Sequence, residues 1–262
     1  KAYEIITDSS NDINPHLLIE CYRSLAADRD HITYDYGDKI DSFIGLDLDY
    51  IESKISEIDQ NQTTPFQSPE KLGGGTAYMA VKDKDGNAVS LIQSNFYGIG
   101  STIGVSGYGF FLHNRGAGFN LIENHPNRIS PLKKPLHTLS PTIWSKDGKL
   151  DMVIGTRGGR YQPQLLTQFI LPLLLQTSSV ETAMNQSRWT IDYFDENTES
   201  HLIVEPGMEE ETIKDLKEKG HKITTKESLQ SSFGPISAIC KDINGSWIGV
   251  ADPRVKTSKA ID

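Results

Sequence analysis

An α+β fold, with sheets and helices segregated into layers, is predicted by the order of elements along the chain. Three observations carry it. Strand candidates joined by Asp–Gly turns crowd residues 77–155, helical spacing dominates 162–220, and a last pair of strands closes the chain. A parallel βαβ series would instead alternate the two kinds of element throughout.

The first element is a helix over 15–28, where Pro15 suits the opening turn and Leu17, Leu18, Cys21 and Leu25 recur near helical spacing. DYGDKIDSFIG is polar and turn-rich, and a second helix over 49–58 sets Ile51, Ile55 and Ile58 on one side. From Asp59 to Gly75 the mixture of Asn, Gln, Thr, two prolines and three glycines suits neither helix nor strand and reads as an exposed tether. Strands over 77–81 and 88–94 flank DKDGN, a strong hairpin signal, and SKDGK joins PTIW to LDMVIG in the same way. GYGFFLHN adds a strand ending near Asn114. PQLLTQFILPLLLQ reads as a mostly buried helix, interrupted or kinked at Pro172. VETAMNQSRW and EEETIKDLKEKG are helices, the second acidic at its start, basic near its end and closed by Gly220. GPISAIC, the turn KDING and SWIGVAD make a final hairpin.

Composition narrows the function classes. At 262 residues the chain can bury a substantial core. Its 35 acidic residues against 26 basic ones, a formal charge of −9, argue against a nucleic-acid partner. Cys21 and Cys240 lie far apart and read as core thiols rather than a disulfide. The longest apolar run, FILPLLL, is too short to span a bilayer, so no membrane partner is expected. No signal-peptide pattern is present, and the reading leans to the cytoplasm over export. The chain begins with Lys1 rather than Met, as a cloned fragment, a proteolytic product or the back portion of a longer precursor would. GGGTAY is not the dinucleotide fingerprint, GTRGG lacks the Lys–Ser/Thr of a phosphate loop, and the seven histidines show no H-E-x-x-H and no close three-ligand cluster. No metal and no cofactor is expected. Tyr97, Tyr108, Phe110 and Phe111 read as core and wall residues rather than a base-stacking platform.

The stretch KLGGGTAYMAV carries the chemical question. A threonine hydroxyl is a weak nucleophile, but the α-amine of an N-terminal threonine, with a reference pKa of about 7.7–8.0, can serve as its base. Cleavage between Gly75 and Thr76 would create nucleophile and base in one step, with the glycines letting the backbone reach a geometry for attack on the preceding carbonyl. On the residues alone, a loop feeding a strand is the competing reading.

TAYMAVKDKDGNAVSLIQSNFYGIGS, HNRGAGFN, KKPLHTLSPTI, IGTRGG and GVADPR follow one another in an order that resembles the γ-glutamyltranspeptidase family, above all its acylase-like branch. The resemblance implies the αββα four-layer sandwich of the N-terminal-nucleophile (Ntn) hydrolases, made as a precursor that cuts itself before a threonine. It implies that 1–75 is the end of a large-subunit portion with its processing tether. It also implies that 76–262 is the nucleophile-bearing small subunit, both belonging to one composite domain. The start of the large subunit would then be a missing partner, a small amide the substrate, and a homo-oligomer an open option.

Carried over by position, the resemblance makes Thr76 the nucleophile, Gly75–Thr76 the cleavage point, and Gly158 and Gly159 the oxyanion-stabilising turn. Ser94 matches a hydroxyl that assists or orients the nucleophile. Asn95 matches an asparagine of the substrate wall. His137 and Thr138 correspond to a serine pair that holds the glutamyl group, with the hydroxyl kept only at Thr138. Two departures matter. Gly118 stands where family members carry an acid that grips the substrate's α-ammonium group, and Ala77 and Tyr78 replace a threonine and a histidine after the nucleophile. Arg115 adds positive charge beside Gly118, either to select a glutaryl-like acyl group or as a surface arginine paired with Glu123. The implied activity is that of an autoprocessed amide hydrolase or acyltransferase for γ-glutamyl or glutaryl-like substrates. A catalytically silent binding or structural homologue is the rival from another class.

Overall fold

The computed structural model describes residues 12–37, 43–66, 75–191, 200–242 and 244–261. Two sheets stack in its centre. Strands β1 (Gly75–Lys82) and β2 (Ala88–Phe96) form an antiparallel hairpin. β5 (Thr142–Lys146), β6 (Lys149–Gly155), β10 (Ser237–Lys241) and β11 (Trp247–Ala251) form an antiparallel sheet ordered β11-β10-β6-β5. The hairpin turns its Thr76, Tyr78, Ala80, Ser90, Ile92 and Ser94 face towards this sheet, and Gly155 of β6 lies so close to the Tyr78 ring that a Cβ there would collide with it. Met79, Val81, Val89 and Leu91 on the other face are exposed.

Helices α3 (Gln162–Leu174) and α4 (Val180–Asn185) cover the far face of the larger sheet. Leu166, Phe169, Ile170, Val180, Ala183 and Met184 pack there on Met152, Ile154, Ile236, Ala238 and Cys240. A second core joins α1 (Pro15–Ile32) and α5 (Glu210–Glu218) to a three-stranded sheet of β7 (Trp189–Ile191), β8 (His201–Val204) and β9 (Lys222–Thr225). Its centre is Ile19, Leu202, Val204 and Leu216, all without exposure. The remaining helix, α2 (Leu48–Ser56), and the short strands β3 (Gly104–Val105) and β4 (Phe110–Phe111) are peripheral.

Local chemistry explains the predicted turns. Asp83 Oδ1 accepts from the Asp85 and Asn87 amides at 2.9 and 2.8 Å, and Asp242 Oδ1 does the same for Asn244 and Ser246 at 2.9 and 2.7 Å. Asp147 and Gly148, with φ of 51° and 71°, give the two-residue hairpin its left-handed pair. Asn14 caps α1 by accepting from Leu17 N, and Pro15 opens it.

Several expectations change. The first helix runs to Ile32, and the second spans Leu48–Ser56. The strand expected in GYGFFLHN shrinks to Phe110–Phe111. α3 continues through Pro172: the Gln168 carbonyl, deprived of the proline N–H, accepts instead from Gln186 Nε2 at 3.0 Å. The helix expected over VETAMNQSRW stops at Asn185, because Gln168 on α3 pairs with both backbone groups of Trp189 at 2.9 and 3.0 Å and draws that residue into β7. The three-stranded sheet, including the parallel β8–β9 pair bridged by α5, was absent from the sequence reading. Cys21 and Cys240 are buried free thiols, as expected, with pKa values pushed up to about 11 and about 12 chiefly by burial. No helix among the described residues is long and apolar enough to cross a membrane.

Candidate active site

Thr76 is the second residue of β1, directly opposite Ser94 on β2, and the register slips by a bulge between Gly75 and Thr76. The bulge turns the Gly75 carbonyl towards the Ser94 side chain. Thr76 Oγ1 donates to Ser94 Oγ at 3.1 Å, and Ser94 Oγ donates to the Gly75 carbonyl oxygen at 3.0 Å. The Phe96 amide donates to the same serine oxygen at 3.1 Å. Ser94 therefore has both lone-pair capacity and its proton engaged, in a single relay from the threonine hydroxyl to the carbonyl of the residue before it. Gly75 must be glycine here, since a Cβ would strike the carbonyl oxygen of Gly98.

Phe96 pays for this arrangement with a φ of 79°, which for a non-glycine residue costs about 1–3 kcal/mol. Its strain is held by burial at 2% exposure and by the loop that follows. Asn114 fixes that loop: Oδ1 accepts from Tyr97 N at 2.9 Å, Nδ2 donates to Gly100 O at 3.0 Å, and its own amide donates to Asn95 O at 3.1 Å. Asn114 escaped notice as a site residue; its place inside HNRGAGFN was the available signal. The Asn95 side chain donates to Ile99 O at 3.1 Å, holding the same loop.

Arg115 lies across the Phe96 ring, with the guanidinium carbon 4.8 Å from its centroid. It is only 7% exposed, which removes the reading as a surface arginine paired with Glu123. Neither Nη1 nor Nη2 finds a hydrogen-bond partner among the described residues, and burial lowers its pKa from the ordinary guanidinium value. His137 is near enough to feel it: the imidazole pKa is lowered first by desolvation and then by the Arg115 charge. Thr138 beside it is buried. At Gly118 an added Cβ would sit 3.0 Å from the Leu136 carbonyl oxygen and 3.4 Å from Leu136 Cβ and N. A side chain at this position would be crowded by the chain at Leu136.

Gly158 and Gly159 follow β6 with φ of 125° and 57°, values only glycine adopts freely, and lead through a 3-10 turn into α3. Because Gly155 at the end of β6 packs on Tyr78, this turn and Thr76 share one end of the sandwich. A groove of about 710 Å³ lined by Ala80, Lys82, Trp247 and Lys259 lies at the other end of the hairpin.

Two further expectations are revised. Residues 59–66 are no loose tether: Thr64 N donates to Glu20 Oε2 at 2.8 Å, Thr63 N to Lys219 O at 2.8 Å, and Arg23 Nη1 to Thr64 O at 2.8 Å. Residues 67–74 of the same stretch lie outside the described residues. The fold also builds a close three-ligand group that sequence spacing did not suggest, His16, Glu20 and His221, all buried. Its ligand atoms already have protein partners. His16 Nδ1 bonds His221 Nε2 at 2.7 Å, His221 Nδ1 bonds Ser200 Oγ at 2.6 Å, and Glu20 holds Arg23 at 2.6 Å. The group therefore reads as a buried polar lock between α1, α5 and residues 59–66.

A layered sandwich whose strand begins Gly75–Thr76 against a bulge in its partner strand is the scaffold of an Ntn hydrolase. A family model described as gamma-glutamyltranspeptidase matches residues 2–261, and the chain belongs to that family. It is 35% identical over 241 residues to the glutathione hydrolase-like YwrD proenzyme of Bacillus subtilis, covering 91% of this chain and 45% of that protein. It is 30% identical over 251 residues to the oxamate amidohydrolase proenzyme of Klebsiella pneumoniae, covering 95% and 47%. The crystal structure of cephalosporin acylase from Bacillus halodurans superimposes with a TM-score of 0.77 at 28% identity, over 94% of this chain and 45% of that one. The chain thus spans about half the length of the curated relatives it matches.

Proposed function

We propose that this chain is the self-cleaving part of an N-terminal-threonine amide hydrolase or acyltransferase whose acyl donor carries a carboxylate. The observation that carries the first half is the relay from Thr76 Oγ1 through Ser94 Oγ to Gly75 O. Thr76 Oγ1 adds to the Gly75 carbonyl carbon while its proton passes to Ser94 Oγ and the Ser94 proton passes to the carbonyl oxygen. Collapse of that adduct, with the proton on the former carbonyl oxygen passing to the departing nitrogen, breaks the Gly75–Thr76 C–N bond and leaves an ester on Thr76 and a free α-amine. Water hydrolyses the ester, releasing a Gly75 carboxylate and an N-terminal Thr76. In the mature site the amine takes the hydroxyl proton and the hydroxyl attacks a substrate amide. The N–H groups of the Gly158–Gly159 turn stabilise the oxyanion, and water or an amine accepts the acyl group.

Arg115 supports the second half. A buried guanidinium with two nitrogens unengaged among the described residues suits a planar carboxylate held by both. Glycine at 118, crowded by Leu136, favours a glutaryl-like acyl group over γ-glutamyl, since no acid stands there to receive an α-ammonium group. His137 and Thr138 complete the acyl pocket, and Asn95 shapes its wall.

Intact-mass measurement and N-terminal sequencing of the full-length protein, beside Thr76→Ala, test the reading. Two fragments, one beginning TAYMAV, are expected for the wild type and one uncut chain for the variant. A wild-type chain still uncut after prolonged incubation would sink it.

A further inference from the structure

We propose that the buried ion network of Arg188, Glu205, Asp252 and Arg254 is the positioning device of the Thr156–Gly159 turn, acting through residues 230–236. The inference rests on reading that turn as the oxyanion site. The four side chains come from distant places: Arg188 precedes β7, Glu205 follows β8, and Asp252 and Arg254 follow β11. None exceeds 6% exposure. Arg188 Nη1 lies 2.7 Å from Asp252 Oδ2, and Arg254 Nη1 lies 3.2 Å from Asp252 Oδ1. Arg254 Nε donates to both Glu205 oxygens at 2.8 and 3.0 Å.

Two acids and two bases cancel, so no net charge is buried. Cohesion alone does not call for such a group, because apolar side chains of similar volume often serve a core as well or better. What the ions add is direction. Arg188 Nη1 donates to the carbonyls of Phe233 and Gly234 at 3.2 and 2.9 Å. Asp252 Oδ2 accepts from Ile236 N at 2.8 Å, and Glu205 Oε1 from Gln230 N at 2.8 Å. Residues 230–236 are thereby fixed along one side.

Their other side bears on the turn. Thr156 Oγ1 donates to Pro235 O at 3.1 Å and Arg157 Nη2 to Ser231 O at 3.3 Å. Gly234, at φ 57°, is packed so tightly that a Cβ would collide with Arg157 O and crowd Thr156 Oγ1. Direct contacts therefore run from the ions to the loop and from the loop to the backbone immediately before Gly158. This gives GVADPR, which touches no reacting atom, a part in the chemistry.

The test pairs amide hydrogen exchange over 156–161 with turnover in the full-length protein, for Asp252→Asn and Gly234→Ala. The first keeps shape and removes a charge; the second leaves the network intact and pushes on the turn. Both are expected to speed exchange over 156–161 about tenfold or more while the β1–β2 hairpin keeps wild-type protection. Both are expected to lower kcat on a glutaryl anilide about tenfold or more, with KM changed less than about twofold. Should Asp252→Asn fail to fold, Arg188→Lys, which keeps the charge and removes the guanidinium contacts to Phe233 and Gly234, decides. A cooperatively folded variant with wild-type exchange over the turn overturns the positioning role. A wild-type protein that cleaves no anilide sinks the enzyme reading instead, and the exchange data still judge the positioning.

Discussion

Arg115 and Arg254 are both buried guanidinium groups, 7% and 6% exposed, yet one is finished and the other is not. Arg254 meets Glu205, Asp252 and the carbonyls of Met184 and Gln186, so its donors are spent inside the fold. Arg115 has an aromatic ring beneath it and two terminal nitrogens without partners among the described residues. Burial without partners is costly for a cation, so folding alone does not account for Arg115. The contrast separates a charge whose contacts are completed within the fold from one whose contacts, among the described residues, are not.

The comparison breaks first at Arg254. Arg254→Met should leave Glu205 buried and uncompensated and cost about 3–5 kcal/mol, read from the urea midpoint at constant m-value. A loss below about 1 kcal/mol would show the network to be energetically slack. Ser94→Ala comes next: removing the donor to the Gly75 carbonyl should slow scission about 10²–10³-fold, followed as intact mass against time. Scission at the wild-type rate would take Ser94 out of the relay.

Arg115→Leu sharpens the contrast from the open side. Losing a charge-assisted contact of about 1.5–3 kcal/mol should lower kcat/KM for a glutaryl anilide about ten- to a hundredfold relative to an uncharged butyryl anilide. Stability should hold or rise, the opposite of Arg254→Met. A parallel loss on both substrates would mean that Arg115 supports the pocket without reading a carboxylate.

The last prediction, whose effect appears only below neutral pH, concerns the lock at the other core. Burial, then the positive surroundings of His16, Arg23 and Lys219, drive the His221 pKa down to about 3, with Asp215 opposing. The folded chain holds this imidazole neutral, whereas the unfolded chain protonates it below about 6.5. Stability from this group is therefore complete above that pH and falls towards about 3, by up to about 1.4 kcal/mol per pH unit. His221→Gln should flatten that slope, and an unchanged pH profile would remove His221 as its source.

Much of this was legible in the residues. Asp83, Asp147 and Asp242 with their following glycines announced three hairpins, because Asp side chains and positive-φ glycines solve a turn locally. The pairing of Gly75–Thr76 with a strand carrying Ser94 was legible in the hairpin signal of DKDGN. Pro172 does not interrupt its helix, because the cost of its missing N–H is met by Gln186, fourteen residues on and outside any helical window. Trp189 misled for a related reason: Gln168 offers it a strand-like partner that no propensity encodes.

By itself, then, the sequence determined the local events: which stretches turn, which alternate, and which hydroxyl lies at the start of a strand. Those depend on backbone preference and on partners within a few residues. Only the tertiary structure decided that Ser94 bridges Thr76 to Gly75, that Arg115 is buried with two nitrogens lacking hydrogen-bond partners among the described residues, and that Arg188, Glu205, Asp252 and Arg254 close into one network. Each of these is a matter of desolvation and of directions between groups far apart in the chain, which exist only once the layers have packed.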